Sequence, residues 1–206
     1  IVAYHEGGHA VVAHVLPKCD PVRKVSIVAR GIAGGYTLTL PEQDHYLVQR
    51  GKLLDNMAYA LGGRAAEDVC FDEISTGAAN DLERVTKMAR DMVMRYGISD
   101  ELGPLVYGKK EEMIFLGREI SEQRDYSEAM AQKIDAEVQS LVHTAYERAK
   151  DVIRNYRENL DRIVEYLLER ETLYTDEFVA AFDGRELPER KKDDGGQTVQ
   201  IGRAHV

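Results

Sequence analysis

Ile1-Val2-Ala3-Tyr4-His5-Glu6-Gly7-Gly8-His9-Ala10-Val11-Val12-Ala13-His14-Val15 opens the chain. Val2, Val11, Val12 and Val15 fall on one broad helical face, and Pro17 cannot continue a helix, so the segment predicts a helix over residues 1–15. Gly7 and Gly8 lie inside it. Each costs a helix interior roughly 1 kcal/mol relative to alanine. Their presence makes sense where another element must approach the helix backbone closely.

Beyond this helix, Val22–Arg30 alternates, with Val25, Ile27 and Ala29 on one side. Gly31–Gly35 reads as a turn, and Tyr36–Leu40 alternates again, which predicts a strand–turn–strand unit. Pro41 stops the second strand and suits an edge position. From His45 the pattern is helical: Leu47–Leu61, then a short piece Arg64–Cys70 after Gly62-Gly63. Asn80-Asp81-Leu82-Glu83 resembles a capping box with Asn80 as N-cap, opening a helix that runs to Tyr96 and stops at Gly97. A loop-rich stretch spans Ile98 to about Gln123. A long helix follows over about Ser127–Asn155, with Ile134, Val138, Leu141, Ala145 and Val152 in register, then shorter helices at Leu160–Glu169 and Thr175–Phe182. The expected fold class is mainly α-helical (α+β): a helix bundle with a small β-sheet or hairpin. The expected division is one domain over 1–183, with 1–123 as its catalytic part and 124–183 as C-terminal helices. Residues 184–206 are polar with charge runs, and the expectation is a disordered tail.

The 206 residues carry 27 basic and 36 acidic side chains, a formal charge of −9, and 16 of the basic and 23 of the acidic ones lie beyond residue 100. That balance argues against a nucleic-acid partner. Two cysteines, Cys19 and Cys70, are too few for a disulfide scaffold and fit a reducing compartment. The longest apolar run, Ala10–Leu16, is interrupted by His14 and cannot span a bilayer, and no signal peptide is visible. The abrupt start four residues before the densest chemistry reads as a fragment of something longer, itself soluble.

His5-Glu6-Gly7-Gly8-His9 is an H-E-x-x-H motif. Residues i and i+4 share a helix face, so both imidazoles can reach one metal ion. Glu6 is near enough to hold a metal-bound water, whose pKa zinc lowers toward ~7, and to take its proton as it attacks a carbonyl. With 6 His and 20 Glu in the chain, about 0.02 such motifs are expected by chance. A catalytic zinc takes three protein ligands. The metzincin extension is ruled out, because Val12 and Val15 stand where glycine and a third histidine belong. Neither Lys18-Cys19-Asp20 nor Val69-Cys70-Phe71 suits the cysteine ligand of a peptide deformylase. The remaining candidates are Glu67 and Asp81, and spacing does not choose between them. Glu67 also suits an ion pair with Arg64, and Asp81 a helix N-terminus. Gly103-Pro104-Leu105-Val106-Tyr107-Gly108-Lys109-Lys110 imitates a phosphate loop. Lys110 replaces the required Ser or Thr, and Pro104 removes an amide, so it does not bind ATP.

His5–Ala10, Gly35-Tyr36-Thr37-Leu38 with Leu40-Pro41, Leu61–Glu67, Ser75–Leu82 and Leu102-Gly103-Pro104-Leu105 occur in order. Together, over about residues 1–183, they resemble the peptidase domain of FtsH, the membrane-anchored AAA+ ATP-dependent zinc protease family. The resemblance implies His5 and His9 as zinc ligands, Glu6 as general base, and Asp81 rather than Glu67 as third ligand. It also implies hexameric rings and protein quality control, with unfolded and membrane proteins as substrates. Membrane segments and an ATP-using module would lie outside this chain, at the cytoplasmic face of a bacterial inner membrane. Gly7 departs from the family's H-E-A-G-H. Facing away from the metal, it implies a small stability cost and no loss of activity.

Two further expectations concern use. The edge strand ending in Leu40-Pro41 can take an extended substrate by strand addition, or serve simply as a ribbon packed on helices. The Ile134–Ala145 stripe serves either as core or as the face of a helical hexamerisation module carrying an idle H-E-x-x-H motif. An aminopeptidase is disfavoured, because no carboxylate cluster for an amino terminus stands beside His5–His9.

Overall fold

A helix over Val2–Val15 (α1) forms at the centre of the molecule, with Ala10, Val11 and Val12 completely buried. In the computed structural model residues 1–29, 34–41, 47–108 and 125–189 are described. Crossing α1 is α3 (Gly62–Phe71), and the glycines explain how closely. A Cβ on Gly8 would collide with the Gly62 carbonyl oxygen, and one on Gly62 would stand 2.8 Å from that of Gly8. Gly7 faces elsewhere: its Cβ would meet Leu160 Cδ1 at 2.8 Å, on α6 (Arg157–Arg170). Gly8 and Gly62 thus mark a backbone-to-backbone helix crossing, and Gly7 a close approach by the Leu160 side chain.

The strand–turn–strand unit becomes a three-stranded antiparallel sheet in the order β2-β1-β3. The strands are Val22–Ser26 (β1), Tyr36–Thr39 (β2) and Thr172–Tyr174 (β3), with Val25 opposite both Thr37 and Leu173. β2 holds the edge. β1 stops at Ser26 rather than Arg30, and its register slips between Val22 and Lys24. β3 has no counterpart in the sequence reading. Only three residues long, it lies between α6 and α7 (Thr175–Asp183), where Glu171 turns the chain at φ 60°.

The other helices are α2 (Arg50–Ala60), α4 (Ala79–Met94) and α5 (Glu128–Asn155). Asn80 is not an N-cap. A 3-10 turn at Thr76–Ala78 runs directly into α4, and Ser75 caps that turn by accepting from the Gly77 amide at 3.2 Å. α4 ends at Met94 rather than Tyr96, and Gly97 takes φ 60°. Ile134, Val138, Leu141 and Ala145 are all buried in the core. The stripe is therefore intramolecular packing, which removes the ground for a separate assembly module.

Among the described residues no helix is long and apolar enough to cross a membrane. The helical onset at His45, the Lys109-Lys110 end of the phosphate-loop imitation and residues 190–206 lie outside the described residues. Gly8→Ala gains roughly 1 kcal/mol of helix propensity. It should still lower unfolding stability by about 1–3 kcal/mol through overpacking of the crossing, measured by urea titration. A variant as stable as the parent would contradict this packing.

Candidate metal centre

One turn of α1 separates His5 from His9, which brings their Nε2 atoms to 3.2 Å. Asp81, in the first turn of α4, places Oδ2 3.5 Å from His5 Nε2 and 3.4 Å from His9 Nε2. Among the described residues this is the one group of metal-ligating side chains that converges. Tetrahedral zinc with bonds of about 2.0–2.1 Å spaces its ligands about 3.3–3.4 Å apart. The three atoms already form a triangle of that size. Two imidazole nitrogens and a carboxylate oxygen are also a donor set that suits zinc.

Both rings are fixed from behind. His5 Nδ1 donates to Glu67 Oε1 at 2.8 Å, and His9 Nδ1 to the Tyr59 carbonyl at 2.9 Å. With acceptors at both Nδ1 positions, the Nε2 lone pairs face the triangle. Glu67 is clamped by the Ser75 amide at 2.6 Å and the Ser75 hydroxyl at 3.0 Å. The spacing of the sequence left Glu67 and Asp81 open. In the fold Asp81 meets the two Nε2 atoms, while Glu67 reaches the outer nitrogen of His5. Gly63 admits this arrangement, since a Cβ there would stand 2.6 Å from the His5 ring.

Glu6 is buried beside the histidines, with Oε2 accepting from Thr37 Oγ1 at 2.9 Å. Burial pushes its carboxyl pKa up, and the nearby His9 and Thr37 only partly offset this. Burial also pushes Asp81 up, but the His5 and His9 rings, when doubly protonated, outweigh it and hold the group well below the usual carboxylate range. The same contest runs at Glu67. Burial raises its pKa, the Ser75 amide and His5 ring lower it more, and it ends below its ordinary value. For His5, burial opposes the proton, while Asp81 and Glu67 favour it and win. Three carboxylates around two imidazoles make a site that attracts positive charge, for which a proton and a divalent cation compete.

These groups line a cleft of about 630 Å³ bounded by Ile1, Tyr36, Asn80 and Arg84. β2 reaches the cleft at Tyr36 and Thr37. The Thr37 carbonyl accepts from the Tyr59 hydroxyl at 3.4 Å, while farther along the strand Leu40 N donates to Pro21 O on the β1 side. By strand alternation the amides of Thr37 and Thr39 face away from β1. Leu38 and Leu40 are exposed on this edge. Sequence reasoning missed Tyr59, Ser75 and Thr37. Tyr59 acts through its carbonyl, which leaves no trace in residue type, and Ser75 lay within a segment known only by resemblance.

Fold and site together define a zinc metallopeptidase domain of the H-E-x-x-H kind. The chain belongs to peptidase family M41, whose model matches residues 1–181. It is 57% identical over 178 residues to the ATP-dependent zinc metalloprotease FtsH of Thermotoga maritima, covering 86% of this chain and 29% of that protein. FtsH 1 of Conexibacter woesei is 52% identical over 185 residues, 90% of this chain and 28% of the relative. FtsH 3 of Symbiobacterium thermophilum is 46% identical over 211 residues, 99% of this chain and 34% of the relative. The chain thus spans about a third or less of these relatives.

Glu67→Gln should weaken zinc affinity about 10-fold or more in competition with a chelator, by removing the charge that holds His5. Unchanged affinity would contradict the orienting role.

Proposed function

We propose that the chain is the zinc endopeptidase part of an ATP-dependent, membrane-anchored protease, with His5, His9 and Asp81 as ligands and Glu6 as general base. The observation that carries this is the triangle of His5 Nε2, His9 Nε2 and Asp81 Oδ2 with the Glu6 carboxylate beside it. Zinc in such a site supplies Lewis acidity, lowering the pKa of coordinated water toward about 7 and polarising a carbonyl. Glu6 accepts the proton of the attacking water and returns it to the leaving amine. Its raised pKa suits a group that must give the proton back. Glu67 and the Tyr59 carbonyl keep the two rings aimed.

The outward amides of β2 pair with an extended substrate, and such backbone recognition takes any unfolded chain. Exposed Leu38 and Leu40 add apolar contact beside the edge. Residues 1–183 act as one peptidase unit: 1–123 supply the site and 124–183 the supporting helices. Hexameric assembly, ATP-driven feeding and anchorage at the cytoplasmic face of a bacterial inner membrane belong to the whole protein in this reading. Its substrates are unfolded and membrane proteins. The relatives' printed names support the ATP-dependent part of that assignment.

Glu6→Gln should leave zinc content at one ion per chain and cut kcat on an internally quenched peptide by about 10²–10⁴-fold. Asp81→Ala should lose zinc on dialysis against a mild chelator. Near-normal turnover in the first variant or full zinc retention in the second would overturn the assignment. Thr39→Pro removes one outward N–H, and should raise KM about 3–10-fold, the worth of one main-chain hydrogen bond. Unchanged kinetics in the folded variant would rule out strand addition there.

A further inference from the structure

Glu6 is held by a residue outside its own helix. Thr37, on edge strand β2, places Oγ1 2.9 Å from Glu6 Oε2 and 3.0 Å from the Glu6 carbonyl oxygen. The other carboxylate oxygen, Oε1, has no hydrogen-bond partner among the described residues. No buried side-chain oxygen among them lacks one, so Oε1 is open to the cleft. One oxygen is tied back and the other is free to meet water.

The strand is built for this hold. A Cβ at Gly35 would stand 2.8 Å from Glu6 Cγ and 3.1 Å from Oε1, so the bare backbone that leads into β2 lies flat against the carboxylate stem. The Thr37 peptide is pinned on its far side, where its carbonyl accepts from the Tyr59 hydroxyl. Tyr59 is the residue whose carbonyl fixes His9. Base, ligand and substrate edge therefore share two residues, Thr37 and Tyr59.

We propose that Thr37 is a positioning residue for the general base, its hydroxyl clamping Glu6 Oε2 so that Oε1 is presented to the attacking water. This rests on the assignment of Glu6 as base. A long carboxylate with free torsions spends little time aligned, and misplacement by about 1 Å can cost 10²-fold in rate. Because Thr37 lies on the strand that pairs with substrate, substrate docking and base orientation share one rigid element.

The test compares Thr37→Val, which keeps the branched shape and removes the hydroxyl, with Thr37→Ser, which keeps the hydroxyl, each in the zinc-loaded full chain. On an internally quenched peptide, Thr37→Val should lower kcat about 10–100-fold, with KM within about twofold and zinc still one per chain. Thr37→Ser should recover kcat to within about threefold of the parent. In a Glu6→Gln background, Thr37→Val should add no further loss, because groups acting as a unit are non-additive. Undiminished kcat in Thr37→Val, a rise in KM alone, loss of zinc, or failure of Thr37→Ser to recover activity would each overturn the proposal. If Thr37→Val does not fold, the comparison of Thr37→Ser with Thr37→Ala carries the same outcomes. Full activity in Glu6→Gln would instead overturn the base assignment, and the Thr37 proposal with it.

Discussion

The site depends on one contact, the meeting of α1 and α3 backbones at Gly8 and Gly62. Helix axes separated by ordinary side chains sit about 8–10 Å apart. With no side chain on either glycine, α3 comes in close enough for Gly63 to lie on the His5 ring and for Glu67 to reach its Nδ1. A methyl group at the crossing would lift Glu67 off the ring. The two stretches that look weakest on helix propensity, Gly7-Gly8 and Gly62-Gly63, thus set the geometry of the candidate centre.

Charge follows from that closeness. Glu6, Glu67 and Asp81 are gathered around two imidazoles in a setting that disfavours ionisation, so burial opposes each carboxylate. Hydrogen bonds sort them. Glu67 and Asp81 receive enough from Ser75, His5 and His9 to fall below their ordinary values, whereas Glu6 receives less and rises. In the proposed assignment, two carboxylates are thereby fitted to hold charge beside a cation and one to exchange a proton. Environment separates their roles where residue type does not.

The parts legible in the sequence are those whose logic is local. The i, i+4 spacing of His5 and His9 lies within a single turn, and the apolar stripe of α5 identifies its buried face. Asp81 and Glu67 could not be told apart by spacing. Their difference arises only when α3 and α4 converge on α1 from more than fifty residues away. Resemblance favoured Asp81, and the fold brings that residue to the two Nε2 atoms. β3 was invisible because three residues between helices carry no periodicity, and Asn80 misled because a 3-10 turn, not a cap, precedes α4. Tyr59 contributes a carbonyl, which any residue type offers.

In the proposed centre, His5, His9 and Asp81 hold a single zinc ion with one position left for water. X-ray absorption at the zinc edge of the metal-loaded chain tests it most directly. The expected result is a four-coordinate nitrogen and oxygen shell at about 2.0–2.1 Å, with outer-shell scattering from two imidazoles and no sulfur. Scattering from a single imidazole, a sulfur shell at about 2.3 Å, or a six-coordinate ion would contradict it.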